Sequence, residues 1–208
     1  MISLFLNTSS SFLNIAVLKD DKIIDSFYKK YDKDLSKEAL YEASVLIEKN
    51  NLTVDMIDEI VCVRGPGSFT GLRVGATICK TMSYFLNKPL YSVSSLDVMA
   101  SSVQGDLIVP IIDARRGYVY GAIYNKDYKI ILEEQYIKLD RLQEIVDEFK
   151  KDAVYVSLDK FNFDVESYIP NIERLFSKNF KVKEDSMTFV PTYLKKTEAE
   201  ENLNDSRD

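Results

Sequence analysis

The 208-residue sequence contains no histidine and only two cysteines, and no run of apolar residues long enough to cross a membrane as a helix. Histidine is the side chain that titrates nearest neutrality. Its absence removes Ser-His-Asp and Cys-His constellations and any HExxH zinc site. Chemistry by this chain would have to rest on carboxylates, lysine, tyrosine or backbone groups. Cys62 sits in the apolar run IVCV and Cys79 in a helix-like segment, so they form no disulfide framework and read as small buried hydrophobes. The start, MISLFLNTSSS, lacks the basic opening and apolar length of a signal peptide, which points to the cytoplasm and away from a membrane.

An excess of positive charge is also missing. The 27 basic residues are outnumbered by 33 acidic ones, for a net charge of -6, and the basic doublets Lys29-Lys30, Arg115-Arg116, Lys150-Lys151 and Lys195-Lys196 are scattered. A protein that grips a nucleic-acid backbone unaided needs a basic surface to neutralise phosphate, so any contact with nucleic acid is expected to run through a partner. What is present is core: 46% hydrophobic and 12% aromatic residues, enough for one domain or two small ones.

Periodicity places elements in a definite order. ISLFL, FLNIAVL and the stretch through Ile23, Ile24 and Phe27 predict three strands joined as hairpins. Ser36 to Asn50 changes to helical spacing, with Ala39, Leu40, Ala43, Leu46 and Ile47 on one side. Ile60–Arg64 then reads as a buried strand, GPGSFTG as a loop, Leu72–Leu86 as a helix, Leu90–Val93 as a strand, and Ser95 with Asp97 as the opening of a helix that stops before Gly105. Three meandering strands followed by alternating helices and strands are the ribonuclease H-like arrangement. From Asp106 the pattern repeats: at a constant offset of 106, Asn7 falls on Asp113, Ala16 on Ala122 and Val17 on Ile123. The expectation is an α/β fold of two related lobes, 1–104 and a smaller 105–194, followed by a polar tail 195–208 expected to be disordered.

Two segments stand out chemically. In Arg64-Gly65-Pro66-Gly67-Ser68-Phe69-Thr70-Gly71-Leu72-Arg73 the glycines allow a tight turn and a close approach. Ser68 or Thr70 can cap the next helix, and exposed amides with Arg73 would suit an anion; a connection that merely shapes the turn fits equally well. The loop lacks the lysine of a Walker A motif. The helix after it carries an apolar arc of half its circumference or more (Leu72, Val74, Gly75, Ala76, Ile78, Cys79, Met82, Phe85, Leu86), so it is expected to be covered on two sides. Either both sides are buried within the chain, or one meets a partner through Leu40, Tyr41, Ala43, Ser44 and Ile47 of the first helix and Val74, Ile78, Met82 and Phe85 of the second. At the end of the first strand Asn7 stands where a magnesium site would want a carboxylate, and a hairpin Asx turn accounts for it.

Together VCVRGPGSFTGLRVGATICK, LFLNTSSSFLNIAVL, PIIDARRGYVYGAIY and VPTYLKKTEAEE resemble the TsaB (YeaZ) family of tRNA threonylcarbamoyladenosine biosynthesis. The resemblance implies two ribonuclease H-like lobes of the actin, sugar-kinase and heat-shock ATPase superfamily, with a degenerate nucleotide cleft. It also implies a non-catalytic dimerisation subunit without cofactor or metal, required by the transferase TsaD, to which it is similar in fold. The small ATPase TsaE is a further implied partner, tRNA is met only through the complex, and a homodimer is the alternative for the isolated chain. Pairing in the family is through the two helices that here fall on Ser36–Asn50 and Thr70–Leu86. Departures are Asn7 where the family commonly has Asp, the stretch after Tyr155 without the family's glycine, and a poorly matching region 159–187 that implies a reduced or rearranged second lobe. A rival reading from the same fold is an ATPase or kinase that binds nucleotide at GPGSFTG and uses Asp113.

Overall fold

The computed structural model describes residues 1–31, 35–178 and 180–195. From residue 196 onward the polar tail lies outside the described residues. The first lobe begins with the meander β1 (Ile2–Asn7), β2 (Phe12–Lys19) and β3 (Lys22–Lys30). It continues with α1 (Leu35–Lys49), β4 (Glu59–Gly65), α2 (Phe69–Leu86), β5 (Leu90–Ser94) and α3 (Ser95–Ala100). The second opens with β6 (Leu107–Asp113), β7 (Tyr118–Asn125) and β8 (Ile130–Lys138), then α4 (Leu139–Glu148) and β9 (Ala153–Val156). The last elements are α5 (Ile172–Ser177) and β10 (Val182–Glu184).

The first sheet is ordered β10-β5-β4-β1-β2-β3 and the second β8-β7-β6-β9. Each strand of the first meander has a counterpart: β1 pairs antiparallel with β2 and parallel with β4, as β6 does with β7 and β9. The repeat read at offset 106 is therefore a repeat of topology. The second lobe is reduced, as the resemblance implied. In place of a counterpart of β5 it has a single parallel bridge between Val156 and Glu166.

The continuous apolar runs arise because both faces of the first sheet are covered. Leu4, Leu6, Leu13, Ile15, Ile60 and Cys62 face α1 and α2, packing with Ala39, Ala43, Leu46, Ile47, Ala76, Ile78 and Cys79. Phe5, Ala16, Leu18, Val61 and Val63 face the other way, onto Ile172, Leu175 and Phe176 of α5. In the second sheet Leu107, Val109 and Ile111 pack on Leu142 and Val146 of α4, while Ile108, Ala122 and Tyr124 pack on Leu96, Met99 and Ala100 of α3. Helix α3 thus bridges the two sheets.

The chain after β9 differs from the expected division. The span 105–194 is split between the sheets, because α5 covers the first sheet and β10 pairs antiparallel with β5 at its edge. The weak periodicity after Asp159 reflects a segment that supplies cover to a core built by residues far earlier in the chain. Among the described residues, no helix is long and apolar enough to cross a membrane.

Candidate functional site

The GPGSFTG loop joins β4 to α2 and is held from two sides. On one side stands the β1–β2 turn. Thr8 Oγ1 donates to the Gly71 carbonyl at 2.8 Å, and the Ser68 amide donates to the Ser9 carbonyl at 2.7 Å. Gly67, Gly71 and Gly75 recur every four residues and so share one face of the segment. A Cβ on Gly67 would fall on the Ser9 carbonyl oxygen, on Gly71 on the Thr8 carbonyl oxygen, and on Gly75 on Thr8 Oγ1. Ser68 is the N-cap, its hydroxyl accepting from the Gly71 amide at 3.3 Å. These glycines serve close packing of helix on turn.

On the other side the C-terminal segment runs along α2. Lys80 Nζ donates to the Phe189 carbonyl at 2.7 Å, and the Thr192 amide donates to the Arg64 carbonyl at 2.8 Å. Phe69 packs against Tyr193 at 5.5 Å between ring centroids. Arg73, which would suit an anion, lies with its guanidinium carbon 3.9 Å over the Phe69 ring, its Nε donating to the Tyr193 hydroxyl at 3.3 Å. Gly65 (φ 113°) and Pro66, joined by a cis peptide bond, are buried in the loop, and Thr70 is exposed. The VPTYL segment is thereby a strap over the loop. Asn7 forms the expected Asx turn, its Oδ1 accepting from the Ser9 amide at 3.0 Å and the Ser9 hydroxyl at 2.7 Å.

Arg64 points away from the loop into the junction of the lobes. Its guanidinium pairs with Glu134 of β8 at 2.9 Å, both side chains being about four-fifths buried, and Glu134 also accepts from the Ser94 hydroxyl. Beside them Asp97 of α3 accepts from the Ser94 amide at 3.0 Å and from the Tyr124 hydroxyl at 2.8 Å. Burial raises the Asp97 carboxyl to about 6, against the two hydrogen bonds that favour its ionised form. Burial also holds the Tyr124 hydroxyl well above its usual range. The sequence does not show this polar bridge, since Arg64 and Glu134 lie 70 residues apart; Asp97 reads there only as part of a helix opening with Ser95, and the structure places that cap on Ser94. Replacing Glu134 by Ala leaves the Arg64 guanidinium without its carboxylate, and is expected to lower the stability of the whole chain by about 2 kcal/mol in urea unfolding. A smaller loss for Glu134→Leu with Arg64→Leu would show that the cost is the unpaired charge.

The helical face divides. Ala43, Ile47 and Ile78 are buried in the first lobe's core, against their expected place at an interface, and Val74 and Met82 pack at its margin. The reason is that α1 and α2 pack on each other as well as on the sheet, which closes much of the apolar arc of α2 inside the chain. Leu40, Tyr41, Ser44 and Phe85 stay exposed, Phe85 at 79%, and they are joined by Tyr84 on α2.

Between the lobes lies a cavity of about 460 Å³, lined by the β1–β2 turn (Ser9, Ser10, Ser11), Gly67 and Ser68 of the loop, and Asp113 and Asp159 from the second lobe, among others. Among the described residues, no three His, Cys, Asp or Glu side chains stand close enough to hold a metal ion.

The chain matches the family model described as TsaD, tRNA N6-adenosine threonylcarbamoyltransferase, over residues 30–177. It is 37% identical over 139 residues to the tRNA threonylcarbamoyladenosine biosynthesis protein TsaB of Bacillus subtilis, a match covering 66% of this chain and 60% of that protein. The chain thus spans less than two thirds of that relative's length. The TsaB protein of Buchnera aphidicola is 24% identical, with 74% of this chain and 77% of that protein covered. In fold the chain is similar to a Pseudomonas aeruginosa protein described as resembling the peptidase YeaZ, with a TM-score of 0.76, 22% identity, and coverage of 93% of this chain and 99% of that one. With the GPGSFTG loop, the duplicated meander and these matches in agreement, the chain belongs to the TsaB (YeaZ) family.

Proposed function

We propose that this chain is a non-catalytic dimerisation and scaffold subunit of the cytoplasmic machinery that forms threonylcarbamoyladenosine in tRNA. In this reading it pairs with a TsaD-type subunit of related fold that carries out the transfer, a TsaE-type ATPase joins the assembly, and tRNA is met only through the complex. Membership of the TsaB family supports the pathway. The observation that carries the scaffold reading is the apolar surface left on α1 and α2, where Leu40, Tyr41, Tyr84 and Phe85 are all more than half exposed. Large aromatic side chains in such a position are the usual anchors of a protein interface.

The burial pattern decides which substitutions test this. Ile78→Asp would place a charge in the core and unfold the lobe, so loss of pairing there would say nothing about an interface. Tyr41→Asp and Phe85→Asp alter side chains that are 63% and 79% exposed. Each is expected to weaken co-purification and titrated binding to a TsaD-type partner about 30-fold or more, with an unchanged melting temperature. Unaltered pairing in both variants overturns the docking face. Magnesium-ATP binding with turnover by the isolated chain would replace the scaffold by an ATPase or kinase. Size-exclusion chromatography with and without the partner shows whether the free chain pairs with itself through the same helices.

A further inference from the structure

The basic doublet Arg115-Arg116, isolated in the sequence, gains basic neighbours in the fold. It forms the exposed β6–β7 turn, and the strand leaving that turn pairs with the end of β8 at Tyr118 and Lys138. The Leu139 amide donates to the Gly117 carbonyl at 2.9 Å, which holds Lys138 beside the turn. Lys195 arrives from the end of the strap, its ammonium 5.6 Å from the centre of the Tyr136 ring. Four cations thereby share one end of the second sheet.

Two tyrosines are the platform beneath these charges. Tyr118 and Tyr136 stack with ring centroids 4.6 Å apart and an interplanar angle of 10°, and Lys138 Nζ lies 6.0 Å from the centre of the Tyr118 ring. An aromatic ring steadies a lysine stem while its ammonium stays in water. Among the described residues none of the four cations forms an ion pair, whereas Arg64, Arg141 and Lys181 each have a carboxylate. The carboxylates adjoining in the chain are two, Asp113 and Asp140, and one oxygen of Asp113 is engaged by the Arg115 amide at 2.8 Å. Positive charge is therefore in surplus. Both arginines also adopt left-handed backbone, with φ 68° and 55°, where glycine or asparagine is less strained, so the turn itself does not call for them.

On a chain of net charge -6 such a cluster reverses the sign of the surface locally, and its complement is a polyanion. Unpaired cations with tyrosine hydroxyls beside them are the groups that meet backbone phosphates, and the tRNA of the pathway supplies such a backbone. The geometry points to an RNA-binding patch at this end of the second lobe, in which Arg115, Arg116, Lys138 and Lys195 contact backbone phosphates of the tRNA while a partner subunit holds the rest. The patch rests on the reading of the chain as a subunit of the tRNA-modifying assembly and adds to it a direct contact with the RNA. The overall negative charge keeps the free chain's grip weak, so the patch works beside a partner. None of its residues lines the interlobe cavity or belongs to the α1 and α2 docking face.

Fluorescence anisotropy of labelled tRNA with the assembled complex, across a salt series, tests it. The double variant Arg115→Ala with Arg116→Ala is expected to weaken tRNA about tenfold, and Lys138→Ala severalfold, with melting temperatures unchanged. The slope of log affinity against log salt should fall by about one for each cation removed. Arg115→Lys with Arg116→Lys is expected to keep most of the affinity, since a phosphate contact of this kind needs the charge. Unchanged affinity and slope in the alanine variants overturn the proposal. So does loss of the complex itself on co-purification, which would assign the patch to a protein partner. Photocrosslinking of the free full chain to a thiouridine-labelled RNA oligomer at low salt separates the patch from the scaffold reading. Crosslinks are expected at the β6–β7 turn and the end of β8 even should pairing with a partner fail, and their absence from both places overturns the patch whatever the partner does.

Discussion

Gly71→Ala is expected to destabilise the chain by about 3 kcal/mol or more, although the residue lies in the first turn of an α-helix. Helix propensity alone predicts the opposite, a gain of about 1 kcal/mol from replacing glycine by alanine. The contact decides the sign. A Cβ at this position would land on the Thr8 carbonyl oxygen, which belongs to backbone at the end of β1 and cannot rotate away as a side chain would. Relief would require α2 to lift from the β1–β2 turn, breaking the Thr8 Oγ1 bond to the Gly71 carbonyl and the Ser68 amide bond to Ser9. Gly117 is the comparison: it has φ 77° and nothing within 4 Å of an added Cβ, so Gly117→Ala carries only backbone strain, on the order of 1 kcal/mol. Urea unfolding of the two variants separates the effects, and a Gly71→Ala protein as stable as the parent would refute the close approach.

The second large effect is a pH dependence. Asp97 has its carboxyl raised from 3.8 to about 6 in the folded chain, chiefly by burial. Below pH ~4 both folded and unfolded chains hold this proton. Between pH ~4 and ~6 the unfolded chain has lost it while the folded chain retains it, so this group's contribution to stability falls as pH rises. Above pH ~6 both forms are ionised and the loss levels at about 3 kcal/mol. Asp97→Asn removes the titration. The stability difference between parent and variant should therefore shift by about 3 kcal/mol between pH 4 and pH 7, in the variant's favour at the higher pH. Taking the difference cancels the carboxylates whose partners lower them, Asp20, Asp25 and Glu173, which act in the opposite direction. Parallel pH profiles would show that Asp97 carries no such proton. The effect also bears on the lobe junction, because Asp97 joins α3 to Tyr124 of β7 beside the Arg64–Glu134 pair.

Much of the architecture was legible because it is written in local periods. Strand runs, the two helical stretches and the offset of 106 depend on spacing along the chain, and β2 (Phe12–Lys19) recurs as β7 (Tyr118–Asn125) at that offset. The GPGSFTG motif was legible as a loop with a close approach. Which group it approaches was not, since Thr8 lies 63 residues from Gly71. The aromatic partners of Arg73 were hidden for the same reason: Phe69 is one turn away on α2, but Tyr193 is 120 residues on.

The sequence by itself determined the order of elements as far as β9, the duplicated meander, the exclusion of histidine chemistry and the family. Each follows from composition, from short-range spacing, from a constant offset between two stretches of the chain, or from an ungapped motif. Only the tertiary structure decided that Ile78 is core while Phe85 is surface, that Arg64 joins the lobes, that residues 172–184 return to the first sheet, and that serines, tyrosines and two aspartates meet in one cleft. An amphipathic pattern shows that a side chain has an apolar neighbour. Whether that neighbour comes from the same chain depends on how α1, α2 and the strap fill the space over the sheet, and no local period records that packing.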